Sequence, residues 1–182
     1  MSLFGKLVQV TDIRYTNRSK QNGGSSMIRL AGVEDAHLVH TCMLAAFEEY
    51  RKTDIPSSAL NETVSSIEEA LQKGTEQALV YMDDERPLGS VRFKTDEHAL
   101  YFFRLSVCPE ARGRGLAKSM LLHLEQYAQE HGKTRLWCRV RMSVPQNILL
   151  YQSIGYRVFK EEMVINPNSF PVNTVLMEKN IG

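Results

Sequence analysis

Apolar residues along this chain recur either at every second position or at every third to fourth, and each change of interval marks a new element. MIRLAG, from Met27, reads as a first strand. Ala36, Val39, Met43, Ala46, Phe47 and Tyr50 then fall at helical spacing, and such a stripe needs an apolar surface to cover it. After the breaker TDIPSS, Val64, Ile67 and Leu71 form the stripe of a shorter helix that Gly74 is placed to stop. QALVYM, LGSVRF and ALYFFRLSV follow, joined only by DDERP and TDEH, and connections that short predict an antiparallel meander. Met120, Leu121, Leu124 and Ala128 return to the helical interval from Leu116 onward, with Gly132 as the stop. TRLWCRVR is a strand, PQNILLYQSI a proline-started helix ending at Gly155, and YRVFKEEMVI and VNTVLMEK two closing strands joined by NPNSFP. The order β-α-α-β-β-β-α-β-α-β-β predicts an α/β protein with one mixed sheet whose faces are covered by helices.

Residues 1–26 end in TNRSKQNGGSS and read as a flexible arm or linker, with LVQV a short strand inside it; residues 27–182 form the folded domain, and Met27 is a candidate original start. At 182 residues the chain is one domain able to bury about two thirds of its unfolded surface. A charged share of 24% with a formal net charge of +1 gives no global bias toward nucleic acid or membrane, so any positive patch has to be local. Cys42, Cys108 and Cys138 are odd in number, far apart and set in apolar runs, which argues against a disulfide framework or a CxxC metal site and suits a reducing cytoplasm. No apolar run approaches the ~18 residues of a membrane span.

The chemistry concentrates at ARGRGLAKS, residues 111–119, where the strand ALYFFRLSV hands over to a helix. A helix start leaves its first N–H groups unpaired at the positive end of the helix dipole, so an anion such as phosphate is the natural ligand. Gly113 and Gly115 let the backbone approach a ligand and turn successive N–H groups inward, while Arg112, Arg114 and Lys118 are placed to surround the pocket with three cations. A Walker A loop would demand glycine where Arg112 and Ala117 stand, and the dinucleotide fingerprint GxGxxG a small residue where Lys118 stands. Neither motif is present.

VCPEARGRGLA does resemble the signature of the acetyl-CoA-dependent N-acetyltransferases called GNAT, whose [QR]xxGx[GA] loop is matched by Arg112, Gly115 and Ala117, with Val107 and Pro109 ahead of it. The likeness runs from about Met27 to Lys179, since the element order is also that family's. It implies a GNAT-like fold in which the backbone from Arg112 through Gly113, Arg114, Gly115, Leu116 and Ala117 to Lys118 holds the pyrophosphate of coenzyme A. It further implies that the edge of Leu105, Ser106 and Val107 holds the pantetheine arm, beside a strand bulge that opens a slot. PQNILLYQSIGY resembles the family's later motif, in which Tyr151 precedes Gly155 and Tyr156; Asn147 shares a helical face with Tyr151 and lines the same slot.

The implied reaction is direct attack of a neutral amine on the thioester, with a backbone N–H near Val107 stabilising the oxyanion and Tyr151 as the general acid that protonates the departing thiolate. Family members often carry a carboxylate base on the fourth strand, but ALYFFRLSV has no acid; Glu48, Glu49, Glu110 and His98 are the substitutes on offer. Cys108 lacks any linked histidine and His37 with His40 lacks a third ligand, so neither cysteine catalysis nor a metal is expected. Arg92, Arg104, Arg139 and Arg141 lie on neighbouring strands and suit an acceptor with a carboxylate or phosphate, and TDIPSSALNET is the candidate substrate lid. The expected acceptor is a small-molecule or peptide amine, without nucleic acid or membrane partners. The late strands and Phe170 suit a homodimer contact. A non-catalytic acyl-CoA-binding sensor of the same fold is the alternative.

Overall fold

The computed structural model describes residues 25–182. The strand read at LVQV, and the arm apart from Ser25 and Ser26, lie outside the described residues; Ser26 already belongs to the first strand. The elements are β1 (Ser26–Leu30), α1 (Ala36–Phe47), α2 (Val64–Gln72), β2 (Gln77–Asp83), β3 (Arg86–Thr95), β4 (Ala99–Val107), α3 (Leu116–Glu130), β5 (Arg135–Arg141), α4 (Pro145–Ser153), β6 (Arg157–Ile165) and β7 (Pro171–Asn180), in the expected order. Tyr50 falls just past α1, in a short 3-10 turn over Glu48–Tyr50, and a second such turn spans Ser58–Asn61.

Local chemistry sets the boundaries. Thr63 caps α2 by accepting the Ser66 N–H at 3.2 Å while the Ser66 hydroxyl accepts the Thr63 N–H at 3.2 Å, which satisfies donors that the first turn leaves open. Pro145 opens α4, where its missing N–H costs nothing.

The strands form one seven-stranded sheet in the order β1-β2-β3-β4-β5-β7-β6. Neighbours run antiparallel except β4 and β5, which pair in parallel. That pairing extends only over Ala99↔Arg135, Leu100↔Leu136 and Tyr101↔Trp137, after which the two strands part. The β3–β4 ladder is displaced at the same level: Ser90 faces Ser106 and Arg92 faces Phe103, leaving Arg104 and Leu105 opposite Val91. This is a β-bulge, and Arg104 sits in it at φ 54°.

Alternation along the strands gives the sheet two apolar faces. On one, Leu79, Val91, Phe93, Leu100, Phe102, Leu136 and Val140 pack with Leu121, Leu124 and Ala128 of α3 and Tyr151 of α4. On the other, Ala78, Val80 and Met82 pack with Ala36, Val39 and Met43 of α1 and Ile67 of α2. The helical stripes read from the sequence are the buried ones, and the gap between β4 and β5 connects the two sides.

Candidate active site

Where β4 and β5 separate, the molecule holds a cavity of about 650 Å³. Its walls come from Leu105 and Val107 of β4, Cys138 and Val140 of β5, Asn147 and Tyr151 of α4, and Arg112 and Ala117 of the turn before and into α3. Phe47, Tyr50, Ser57 and Ser58 close it from the α1 side, and Val164 to Pro167 at the end of β6 close the far side. Two short segments separated in sequence, the glycine turn and the Asn147–Tyr151 face, therefore meet in one space.

The turn is shaped by two residues of left-handed backbone. Gly113 and Gly115 lie at φ 75° and 80°, the left-handed region that residues with a Cβ avoid. A Cβ at either position would meet no atom of the protein within 4 Å, so the chain asks for glycine here through its dihedrals. Among the described residues, no main-chain partner is found for the N–H groups from Gly113 to Lys118; the first bond of α3 runs from the Ser119 N–H to the Gly115 carbonyl at 3.0 Å.

The side chains of the turn depart from expectation. The three cations do not gather round it. Arg112 turns toward the α1 end, donating to Glu49 Oε1 at 3.0 Å, to Glu49 Oε2 at 3.2 Å and to the Ala46 carbonyl at 3.0 Å. Among the described residues Arg114 reaches only Asp83, at 3.9 Å, and Lys118 is exposed and does not line the cavity. Leu116 buries its side chain against Leu88 and Ala111, and Ser106 is buried with its hydroxyl donating to the Arg104 carbonyl at 2.9 Å, so each has only backbone to offer a ligand. The positive character of the turn therefore rests on the helix start more than on side-chain charge.

Tyr151 is 8% exposed, with its ring edge-on to Phe102 at 5.7 Å and tilted against Tyr156 at 5.9 Å. It lines the cavity. Burial pushes the phenol well above the usual tyrosine range, so it stays protonated at neutral pH. Tyr156, raised in the same way, does not reach the cavity.

Of the four expected base candidates, only Glu49 lines the cavity, and Arg112 holds it. Glu48 pairs with Arg51, Glu110 lies 3.6 Å from Arg86, and His98 is exposed beside Glu97. Glu62, not singled out from the sequence, is itself part of the TDIPSSALNET segment and pairs with Arg92 and Arg104. Burial alone would raise its carboxyl, but Arg104 and Arg92 together hold it below the usual range. Cys108 lies outside the cavity, its sulfur 3.8 Å from that of Cys42, while His37 and His40 are bound to the carbonyls of Glu34 and Glu62. Among the described residues no three His, Cys, Asp or Glu side chains form a metal-ligating group. Of the four strand arginines, Arg104, Arg139 and Arg141 line the cavity, whereas Arg92 is buried between Glu62 and Glu76.

Comparison with known proteins follows the same lines. The chain matches the profile of the "Acetyltransferase (GNAT) family" over residues 39–156. It is 33% identical over 69 residues to the [ribosomal protein bS18]-alanine N-acetyltransferase of Escherichia coli, an alignment covering 38% of this chain and 44% of that one, so less than half of the curated relative is matched. The crystal structure of the Escherichia coli ribosomal-protein-S18-alanine N-acetyltransferase superposes with a TM-score of 0.67 at 17% identity, covering 86% of this chain and 94% of that chain. The YncA protein of Salmonella typhimurium, solved with its cofactor acetyl-CoA, superposes with a TM-score of 0.64 at 17% identity and the same coverages, 86% and 94%. With the profile spanning β4, the glycine turn, β5 and Tyr151, the chain belongs to the GNAT family of acetyltransferases.

Proposed function

We propose that the protein transfers an acetyl group from acetyl-CoA to a primary amine by direct attack, without a covalent enzyme intermediate. The observation that carries this reading is the parting of β4 and β5 into one slot, with a glycine turn beside it whose N–H groups have no main-chain partner among the described residues and a protonated phenol in its wall. The turn from Arg112 to Lys118 holds the diphosphate through backbone N–H groups, and Leu105 to Val107 offer the pantetheine arm a strand edge that β5 no longer occupies. Asn147 lines the same slot.

A β4 backbone N–H near Val107 stabilises the tetrahedral oxyanion. Tyr151 gives its proton to the departing sulfur. The acceptor enters from the side of Phe47, Tyr50, Ser57 and Ser58, where Glu49 is the carboxylate facing the space. The amine must arrive neutral or lose its proton there, since an ammonium has no lone pair for attack.

Thiol release from acetyl-CoA, followed with a panel of amines that includes small amines, polyamines and N-terminal peptides, tests the reading. At least one amine should release thiol in step with its N-acetyl product. Saturable coenzyme A binding with no amine turned over would replace this reading with the acyl-CoA-binding sensor.

A further inference from the structure

We propose that the acceptor subsite recognises an amine that also carries a carboxylate or a phosphate, and that Arg141 is the residue that binds this anion. The inference rests on the acetyl-transfer reading above and narrows its acceptor class.

Among the described residues the cavity wall contains four arginines: Arg104, Arg112, Arg139 and Arg141. Three of them already have a carboxylate. Arg104 holds Glu62 at 2.6 Å, Arg112 holds Glu49 at 3.0 Å, and Arg139 holds Glu162 at 2.6 Å. Arg141 has none among the described residues. Its Nη1 donates to the Ile55 carbonyl at 2.8 Å and its Nη2 to the Pro56 carbonyl at 3.3 Å. Those carbonyls are neutral dipoles, and they use two of the five N–H donors of a guanidinium, so the charge is oriented but not neutralised.

The surroundings make that charge costly to leave bare. Arg141 is half-buried beside a wall that includes Phe47, Tyr101 and Phe103. Burial, and then the nearby Arg104 cation, pull the Arg141 guanidinium below the usual arginine range, so two like charges face one space. An anion placed there relieves both effects, and a carboxylate or phosphate accepts the guanidinium fork in the geometry that makes such pairs strong. The proposed diphosphate nest lies on other elements, at the start of α3, whereas Arg141 ends β5 and is tied to the segment between α1 and α2.

Matched pairs of small amines test the assignment: β-alanine against β-alaninamide for a carboxylate, and phosphoethanolamine against ethanolamine for a phosphate. Binding to the coenzyme A-saturated protein is measured by NMR titration, and turnover is measured in parallel with acetyl-CoA. The charged member of at least one pair should bind about 10-fold more tightly or better. The pair that shows the difference names the anion. Arg141→Gln should abolish the difference while leaving coenzyme A affinity in place, and Arg141→Lys, which keeps the charge without the paired carbonyl bonds, should retain part of it. Equal binding within both pairs, or an undiminished preference in Arg141→Gln, overturns the proposal. So does a loss in both variants that weakens neutral and charged amines alike, because it marks Arg141 as a tether for the lid. A preference among these probes, with no amine of the wider panel acetylated, faults the transferase reading and leaves the anion subsite standing.

Discussion

Tyr151 shows how much of a residue's chemistry comes from its surroundings. In water a phenol is a weak acid, and burial against Phe102 and Tyr156 makes it weaker still, which would disfavour proton donation if the acceptor stayed in water. On the proposed mechanism a thiolate leaves into the same slot and is desolvated too, so its basicity would rise with that of the phenolate and the transfer would remain feasible. Tyr151→Phe removes one oxygen and keeps the ring in its pocket. We expect kcat to fall by about 10²-fold or more with the acetyl-CoA KM essentially unchanged, as steady-state kinetics on both substrates would show. Because the pKa is raised, the proton is kept to higher pH than in an ordinary tyrosine. The alkaline side of the kcat profile should therefore show no loss through about pH 10 that disappears in the phenylalanine variant. Turnover unchanged in Tyr151→Phe would remove the residue from the mechanism.

At the scale of elements, the proposed binding function rests on the junction of β4, the glycine turn and α3, whose geometry depends on two glycines held at positive φ. Since no protein atom would touch an added methyl at Gly115, Gly115→Ala isolates the dihedral cost, about 1–2 kcal/mol for a left-handed residue with a Cβ. Chemical denaturation should show that loss, and calorimetry should show weaker coenzyme A binding as the N–H groups turn out of line. Full stability with unchanged affinity would mean the turn is not the phosphate nest. The element order and the buried helix stripes were readable in the sequence, because a period of two or of 3.6 is a local property that core burial then rewards. The same is true of the glycine turn, whose backbone demand is local. What lies across the sheet was not readable. Arg112 is captured by Glu49, 63 residues earlier, and the bulge at Arg104 and the early end of the β4–β5 ladder arise from how three strands meet. Glu62 gave no signal, since a single acid in a polar loop carries no pattern until Arg92 and Arg104 come together above it.

Across the whole molecule, the two helical layers are fastened to the sheet in different ways. Apolar side chains from five strands bury α3 and α4. The α1–α2 layer has its own smaller core but is also pinned by carboxylates: Asp35 to Arg29 at 2.5 Å just before α1, and Glu62 to Arg92 of β3 and Arg104 of β4 just before α2. Both acids are held below their ordinary range. For Asp35 the hydrogen bond from Arg29 is the main cause, and for Glu62 the two arginines outweigh a burial effect that acts the other way. The unfolded chain therefore binds these protons more readily than the native one. Their contribution is complete above the ordinary carboxylate range, about pH 4, and is lost as pH falls through the depressed native values. Acid should thus loosen the α1–α2 layer while α3 is still packed. Hydrogen exchange, corrected for the intrinsic pH dependence of amide exchange, should show protection in Ala36–Phe47 and Val64–Gln72 falling below about pH 4, ahead of Leu116–Glu130. Glu62→Gln should bring that loosening about 1–3 kcal/mol closer at neutral pH, since the amide leaves Arg92 and Arg104 without their shared carboxylate. If all three helices lose protection together in the wild-type protein, the carboxylate pins are not what fastens this layer. The side of the cavity where we propose the acceptor enters is built from the end of α1 and the segment that Glu62 ties to β3 and β4, so an early-opening layer would place that entry at the less stable end of the molecule.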